Sequence, residues 1–297
     1  MVIRSNNDYK IKVQDISKSF GNVQALKNIS LTFEPDHIYG LLGRNGAGKT
    51  TLLNLISNRL YADSGTISVN GESVIDNDKA LSKLYYMSEK NCYPESMTVD
   101  QAFKWAANFY PGFDRLRAKE LCAKFELNGK KKIKQLSTGY NSIFKGIIAL
   151  CVDADFILLD EPVLGLDANH RQLFYKSLME TYSDNPRTFI ISTHLIEEIT
   201  SMLETVMIIH RGEILKIDST ENLLKAGYSV SGKADTVERY ISGKQIIGVD
   251  VLGGLKSAYV LGELDRAQVP PELDINRMDL QKLFIRMTEN NQGGEAK

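Results

Sequence analysis

Hydrophobic and polar positions along the chain follow two kinds of rhythm, and their alternation predicts an α/β fold. Between Ile11 and Ile16, and again between Ile29 and Phe33, apolar residues alternate with polar ones, as in half-buried antiparallel strands. Gly65 to Asn70 reads the same way. Ile38 to Leu42, Phe156 to Leu159, Phe189 to Ile191 and Val206 to Ile209 are instead apolar without interruption, the pattern of parallel-sheet strands covered on both faces. From about Met97 to Val152 the rhythm becomes helical. Thr98 and Gln101 make a capping-box pattern ahead of Phe103, Ala106, Ala107 and Phe109. Asp114 is placed to cap a second helix carrying Leu116, Leu121 and Phe125. A helical subdomain inserted over about 92–152 is therefore expected. After Ile217 the pattern weakens. Glycines at 227, 232, 243, 248, 253 and 254 punctuate short strand-like pieces before a last helix over Asp279 to Met287, which predicts a boundary near Ala226. The polar Glu289 to Lys297 is expected to fray. The expected architecture is a mixed β-sheet with an antiparallel β-subdomain and the helical insertion over 8–225, then a small α+β extension over 226–297.

Composition narrows the function classes. Among 297 residues, 36 are Lys or Arg and 37 Asp or Glu, a formal charge of −1, so no nucleic-acid partner is expected. The 43% of apolar residues is ample for packed cores. Every apolar run falls short of the roughly 20 residues that cross a bilayer, and the polar stretch around Arg4, Asn7, Asp8 and Lys10 lacks a signal-peptide core. Cys92, Cys122 and Cys151 are odd in number and widely spaced, which fits a reducing, cytosolic setting.

The clearest chemistry lies between a buried strand and a helix. Gly43, Arg44, Asn45, Gly46, Ala47, Gly48, Lys49 and Thr50 match G-x-x-x-x-G-K-[ST], with apolar Ile38 to Leu42 before it and Leu52, Leu53, Leu55 and Ile56 after it. Glycines let backbone N–H groups turn inward around phosphates, and the helix N-terminus adds its dipole. Lys49 supplies a point charge, the Thr50 hydroxyl is placed for Mg²⁺, and Thr51 continues the turn. Such a loop specifies a nucleotide without specifying the reaction. A second buried strand ends in Asp160 followed by Glu161, which puts one carboxylate where a bound Mg²⁺ would sit and the next within reach of an attacking water.

Further residues fix the class. Leu136, Ser137, Thr138, Gly139 and Tyr140 lie just before a helix and ahead of Asp160. Gly165, Leu166 and Asp167 follow, then Ser192, Thr193 and His194 at a strand end, while Lys18, Ser19, Phe20 and Gly21 lie near the start. With these motifs in this order, roughly residues 9 to 225 resemble the ATP-binding subunit of ABC (ATP-binding cassette) transporters. The resemblance implies a P-loop NTPase core. It implies that Leu136 to Tyr140 stand for the family's Leu-Ser-Gly-Gly-Gln signature, Gly165 to Asp167 for its D-loop, His194 for its switch histidine, and Phe20 for the aromatic that stacks on adenine.

Read alone, Ser137 is a helix cap, His194 a strand-end histidine and Phe20 a core aromatic. Read in company, Ser137 and the N–H groups of the turn after it form a second anion site, which the family brings onto the γ-phosphate held by a partner chain. Two departures stand out. Glu89, after Tyr85, Tyr86, Met87 and Ser88, takes the place of the family's glutamine; a carboxylate ligates Mg²⁺ but cannot donate a hydrogen bond to water. The signature carries Thr138 and Tyr140, and Asn141 to Phe144 are less basic than in the family.

The resemblance implies ATP and Mg²⁺ as ligands, with Thr50, Glu89 and Asp160 holding the metal and Glu161, His194 and Lys49 acting on the phosphate. It implies a second ATP-binding subunit, identical or related, and a separate transmembrane permease at the inner face of the cell membrane, with contact expected among Tyr93, Met97, Phe103, Trp105, Phe109 and Tyr110. The extension after 226 is similar to that of bacterial exporters of drugs and peptides, and serves dimerisation, regulation or simple covering of apolar surface. Rival readings are an ATP-binding module that gates a membrane partner with weak hydrolysis, and a soluble cassette ATPase acting on ribosomes or DNA. A kinase or GTPase leaves the signature segment unexplained.

Overall fold

The alternating segments pair as their apolar positions dictate. In the computed structural model, which describes residues 9–266 and 269–289, β1 (Ile11–Phe20) and β2 (Val23–Phe33) run antiparallel with Ile11 opposite Phe33, Val13 opposite Leu31 and Ile16 opposite Ile29. Each apolar position of one strand thus meets one of the other, and all six side chains are buried. The register shifts between Val13 and Ile16, where Asp15 takes φ +52°. Both features belong to a bulge, and aspartate tolerates that left-handed conformation better than most residues. With β4 (Ser64–Val69) and β5 (Glu72–Ser73) these strands form an antiparallel sheet in the order β2-β1-β4-β5.

The uninterrupted apolar runs become the six-stranded second sheet. Its order is β10-β9-β3-β8-β7-β6, from β3 (Ile38–Leu42), β6 (Leu84–Met87), β7 (Phe156–Asp160), β8 (Thr188–Thr193), β9 (Thr205–His210) and β10 (Glu213–Ser219). Strands β3, β8, β7 and β6 are parallel. The two-residue link from β9 to β10 makes the sheet mixed. Leu42 lies opposite Thr193, and Asp160 opposite Ser192, so the ends of β3, β7 and β8 reach one edge of the sheet together. Ligand chemistry in open α/β sheets gathers at that edge.

Helices α1 (Lys49–Ile56), α2 (Asp78–Leu81), α3 (Val99–Phe109), α4 (Arg115–Lys124), α5 (Thr138–Cys151) and α6 (Ala168–Asp184) complete this part of the chain. The Thr98–Gln101 capping box forms as expected, and Asp114 caps α4 by accepting from Leu116 and Arg117 N–H. Leu116 does not face inward; it is 74% exposed, whereas Ala118, Leu121 and Phe125 are buried. The inward face follows steps of three and four residues, and Leu116 stands five before Leu121. Phe109 of α3 is 73% exposed, whereas Val99, Ala102 and Ala106 are buried there. Every residue of α5 from Ser142 to Cys151 is buried, so α5 is enclosed on all sides.

The chain divides into two compact units, the first running to His194 and including Met207–Lys216, the second made of Leu195–Val206 and the chain from Ile217 onward. In the second unit, α7 (Ile196–Ile199) and α8 (Thr220–Ala226) precede β11 (Gly227–Lys233), α9 (Ala234–Ile241), β12 (Ile246–Leu252), β13 (Leu255–Leu261), β14 (Asp274–Arg277) and α10 (Leu280–Glu289). Its antiparallel sheet has the order β12-β13-β11-β14 around a core of Tyr228, Val230, Val237, Ala258 and Val260. The N–H of Thr220 donates to the Glu204 carbonyl at 3.0 Å, so α8 belongs with this unit, and the boundary expected near Ala226 falls within it. Beyond Glu289, the fraying expected of the last residues lies outside the described residues. No described helix is long and apolar enough to cross a membrane.

Candidate active site

The loop after β3 is forced into its path by close approach. A Cβ on Gly43 would lie 2.7 Å from the Ile209 carbonyl oxygen, and one on Gly48, at φ +112°, would lie 2.7 Å from that of Ala25. Only glycine fits either place. The Ala47 N–H closes the turn on the Arg44 carbonyl at 3.0 Å. Helix α1 then begins with no side-chain cap and no acidic residue in its first turn, so its first N–H groups and its positive end are left for an anion. Lys49 is buried and donates to the Gly43 carbonyl at 2.7 Å and the Arg44 carbonyl at 3.5 Å. Burial pulls its pKa down, against the opposing pull of Glu161 and Asp160. Residues 45–51 line a cleft of about 320 Å³ together with Glu89, Asp160 and Glu161.

The carboxylates arrive from neighbouring strands. Asp160, at the end of β7, is 1% exposed; the Tyr86 hydroxyl donates to its Oδ2 at 3.2 Å, while its buried Oδ1 has no hydrogen-bond partner among the described residues. Register explains the pair, since Tyr86 on β6 lies opposite Leu158. Burial and the nearby Asp160 raise the Tyr86 pKa, keeping it a donor. Glu161 holds the left-handed φ of +49°, and its N–H donates to Ser192 at 2.8 Å. A non-glycine residue so placed costs of order 1 kcal/mol or more, a strain that recurs at functional sites. The turn brings Glu161 Oε2 to 2.9 Å from His194 Nδ1, at the end of β8.

An unpaired buried carboxylate oxygen, a threonine hydroxyl and a second carboxylate around one cleft form a donor set that fits Mg²⁺. No three His, Cys, Asp or Glu side chains come together as a metal cage among the described residues. Mg²⁺ characteristically takes one or two carboxylates and completes its shell with substrate phosphates and water.

A second group of residues stands outside this cleft. Ser137 is exposed and caps α5, its Oγ accepting from the Tyr140 N–H at 3.3 Å. Gly139 is packed so closely that a Cβ would lie 2.5 Å from the Gly165 carbonyl oxygen. Ser142 Oγ donates to the Leu164 carbonyl at 2.7 Å, tying α5 to the loop before Asp167. Asp167 caps α6 by accepting from the His170 N–H at 2.9 Å, which draws its pKa down, and its other oxygen lies 2.8 Å from His170 Nδ1. Phe20, at the end of β1, is 48% exposed, with the Lys18 ammonium 5.6 Å from its ring centre.

Residues 26–164 match the family described as ABC transporter. The chain is 31% identical to the ABC transporter ATP-binding protein YtrB of Bacillus subtilis over 76% of its own length and 77% of that protein's. The chain belongs to the ABC transporter ATP-binding family. It is also similar to the ABC transporter ATP-binding protein NatA of Bacillus subtilis, 28% identical over 73% of this chain and 92% of NatA. The fold agrees: a solved ATP-binding subunit of an ABC transporter superposes with TM-score 0.65 at 21% identity, covering 72% of this chain and 91% of that one. A cassette solved as a dimer in a post-hydrolysis state with ADP and Pi gives TM-score 0.63 at 22% identity, covering 71% and 98%.

Within this ABC fold, two supporting residues carry no motif. Lys145, buried in α5, donates to the carbonyls of Ser88 and Glu89 at 2.8 and 2.6 Å and so anchors the Glu89 loop. A lone lysine inside the apolar run Ile143 to Leu150 was the available signal, because buried cations are almost always paired. Arg59 lies 4.7 Å over the Tyr86 ring and donates to Ser88 Oγ at 3.2 Å. The aromatic residues ahead of and along α3 divide by facing. Phe103 packs on Phe113 and Phe144, whereas Trp105, Phe109, Tyr110 and Tyr93 line a groove of about 300 Å³ with Arg59.

Proposed function

We propose that this ABC ATP-binding subunit hydrolyses Mg·ATP between two such subunits and thereby powers a separate membrane permease. The gathering of Lys49, Asp160 and Glu161 at one cleft, with His194 Nδ1 2.9 Å from Glu161, carries this reading. Gly43, Arg44, Asn45, Gly46, Ala47, Gly48, Lys49, Thr50 and Thr51 bind the phosphates through backbone N–H groups, the open end of α1 and the Lys49 ammonium. Thr50, Asp160 and Glu89 would hold Mg²⁺, which when bound offsets charge on the phosphate oxygens. Glu161 takes the proton of the attacking water as general base, and its contact with His194 fixes the carboxylate in place. His194 is half exposed, and we assign it a hydrogen bond to the γ-phosphate.

Ser137, Gly139 and Asp167 act in the facing subunit. The positive end of α5 and the Ser137 hydroxyl meet the γ-phosphate bound by the partner, and Phe20 stacks on adenine. Closure around ATP and reopening after hydrolysis move the helical subdomain, a small phosphate difference becoming a large displacement. The groove with Trp105, Phe109 and Arg59 receives the permease, which places the subunit on the cytoplasmic face of the membrane. The extension serves closure or pairing, and export of a drug, peptide or lipid-like substrate is the direction that its sequence resemblance implies. Glu89 favours one second reading, a gating module with weak hydrolysis.

Steady-state ATP turnover with Glu161→Gln as the reference separates the two. Loss of a general base costs roughly 10²–10⁴-fold, so the wild type should exceed the variant by that margin. Equal rates would leave the gating module.

A further inference from the structure

The second unit contains a cationic cleft that the ATPase reading does not use. Helix α9 buries Val237 and Ile241 against Tyr228 and Val230; Lys233, Thr236 and Tyr240, at steps of three and four residues, line the cleft with Arg239 beside them, and Tyr240 also packs on the core. The tripeptide Ser-Gly-Lys occurs at both ends of this helix, as Ser231-Gly232-Lys233 and Ser242-Gly243-Lys244. Gly243 takes φ +78°, and the Lys244 N–H returns to the Ile241 carbonyl at 3.0 Å. This left-handed turn ends the helix, and Lys244 after it lines the same cleft as Lys233. Lys233, Arg239 and Lys244 thus line one cleft of about 770 Å³, faced by Glu272. The volume is that of a small-molecule site, typically about 300–1,000 Å³.

Several cations of the unit are paired with carboxylates, whereas, among the described residues, the three that line the cleft are not. Elsewhere in the unit, Lys225 pairs with Glu221, Lys256 with Glu238 at 2.9 Å, and Arg286 with Asp250 at 2.5 Å. Lys233, Arg239 and Lys244 have no carboxylate within 4.0 Å among the described residues. The Lys244 ammonium lies 4.8 Å from the Tyr240 ring centre, and Arg239 Nε donates to the Asp235 carbonyl at 3.3 Å, leaving the outer guanidinium N–H groups for a ligand. Like charges gathered around a cleft repel one another and attract an anion. An arginine fork with lysines beside it suits phosphate oxygens, which accept two N–H groups from one guanidinium.

We propose that this cleft binds a phosphate-bearing anion, with Arg239 as the fork and Lys233 and Lys244 as flanking charges. The site is separate in sequence from the phosphate loop and independent of the ATPase assignment. Its shared chemistry is a phosphate group, carried either by a small soluble molecule or by a lipid headgroup.

Titration calorimetry with inorganic pyrophosphate tests this on the full chain carrying Lys49→Ala, so that the phosphate loop contributes little. One saturable site is expected, weakened by about tenfold or more when Arg239→Gln and Lys244→Gln are added, because two charge-assisted contacts are lost. Glu272→Gln removes the opposing charge and should tighten binding by roughly two- to fivefold, a gain that misfolding cannot imitate. No saturable heat with Lys49→Ala, or an affinity untouched by the Arg239 and Lys244 changes, overturns the proposal. A parallel sedimentation assay uses phosphatidylcholine vesicles with and without phosphatidic acid. Retention on the acidic vesicles that Arg239→Gln and Lys244→Gln abolish assigns the phosphate to a headgroup. Pyrophosphate binding without retention assigns it to a soluble ligand.

Discussion

Two helices of the first unit begin in different ways. Helix α1 follows Gly48 in a left-handed conformation and has no side-chain cap, whereas α5 follows Ser137, whose hydroxyl already accepts the Tyr140 N–H. Neither carries an acidic residue in its first turn, so neither neutralises its own positive end. Helices α3, α4 and α6 are capped in the ordinary way by Thr98, Asp114 and Asp167, with Asp100 adding an acidic charge in α3. An uncapped N-terminus held open by glycines, with a buried lysine beside it, describes a finished anion site in one chain. The end of α5 has one N–H capped by Ser137 and is exposed. Its use as an anion site requires a ligand delivered from elsewhere, which is why the two-subunit arrangement matters.

That contrast sets the order of expected effects. Lys49→Ala strikes the finished site: loss of charged phosphate contacts worth about 3 kcal/mol should weaken ATP binding by roughly 100-fold, measurable by calorimetry. Ser137→Ala strikes the other helix and should separate binding from turnover. ATP affinity of the single chain should hold, turnover should fall by up to about 10²-fold through loss of one phosphate donor, and the lost cap should cost about 1 kcal/mol in chemical unfolding. An equal fall in single-chain affinity would place Ser137 in the same cleft as Lys49 and erase the distinction. Glu89→Gln has the smallest expected effect, turnover faster by about fivefold as one hydrogen bond of about 1 kcal/mol to water is restored.

Much of this arrangement is legible before any coordinates. The rhythm of Ile11 to Ile16 and Ile29 to Phe33 identifies strands whose apolar positions then pair, and the capping residues Thr98 and Asp114 mark helix starts that the structure keeps. The phosphate loop is readable because its glycines, lysine and threonine are consecutive. Tyr86 and Lys145 are harder to read. Each owes its place to a partner far along the chain, Asp160 for Tyr86 and the Glu89 carbonyl for Lys145, and periodicity carries no information about such pairs. Leu116 is apolar and near a helix start, yet its spacing from Leu121 turns it outward. The pattern weakens after Ile217, where the second unit resumes, but that the segment Leu195–Val206 joins this unit across intervening chain escapes local reading.

The central claim is that α5 completes the phosphate site of a second subunit. Light scattering after size exclusion of Glu161→Gln, loaded with Mg·ATP, tests it most directly. A doubled mass is expected, returning to that of one chain when ATP is withheld or when Ser137→Ala is added. A single-chain mass at ATP concentrations where calorimetry shows the site filled would contradict it.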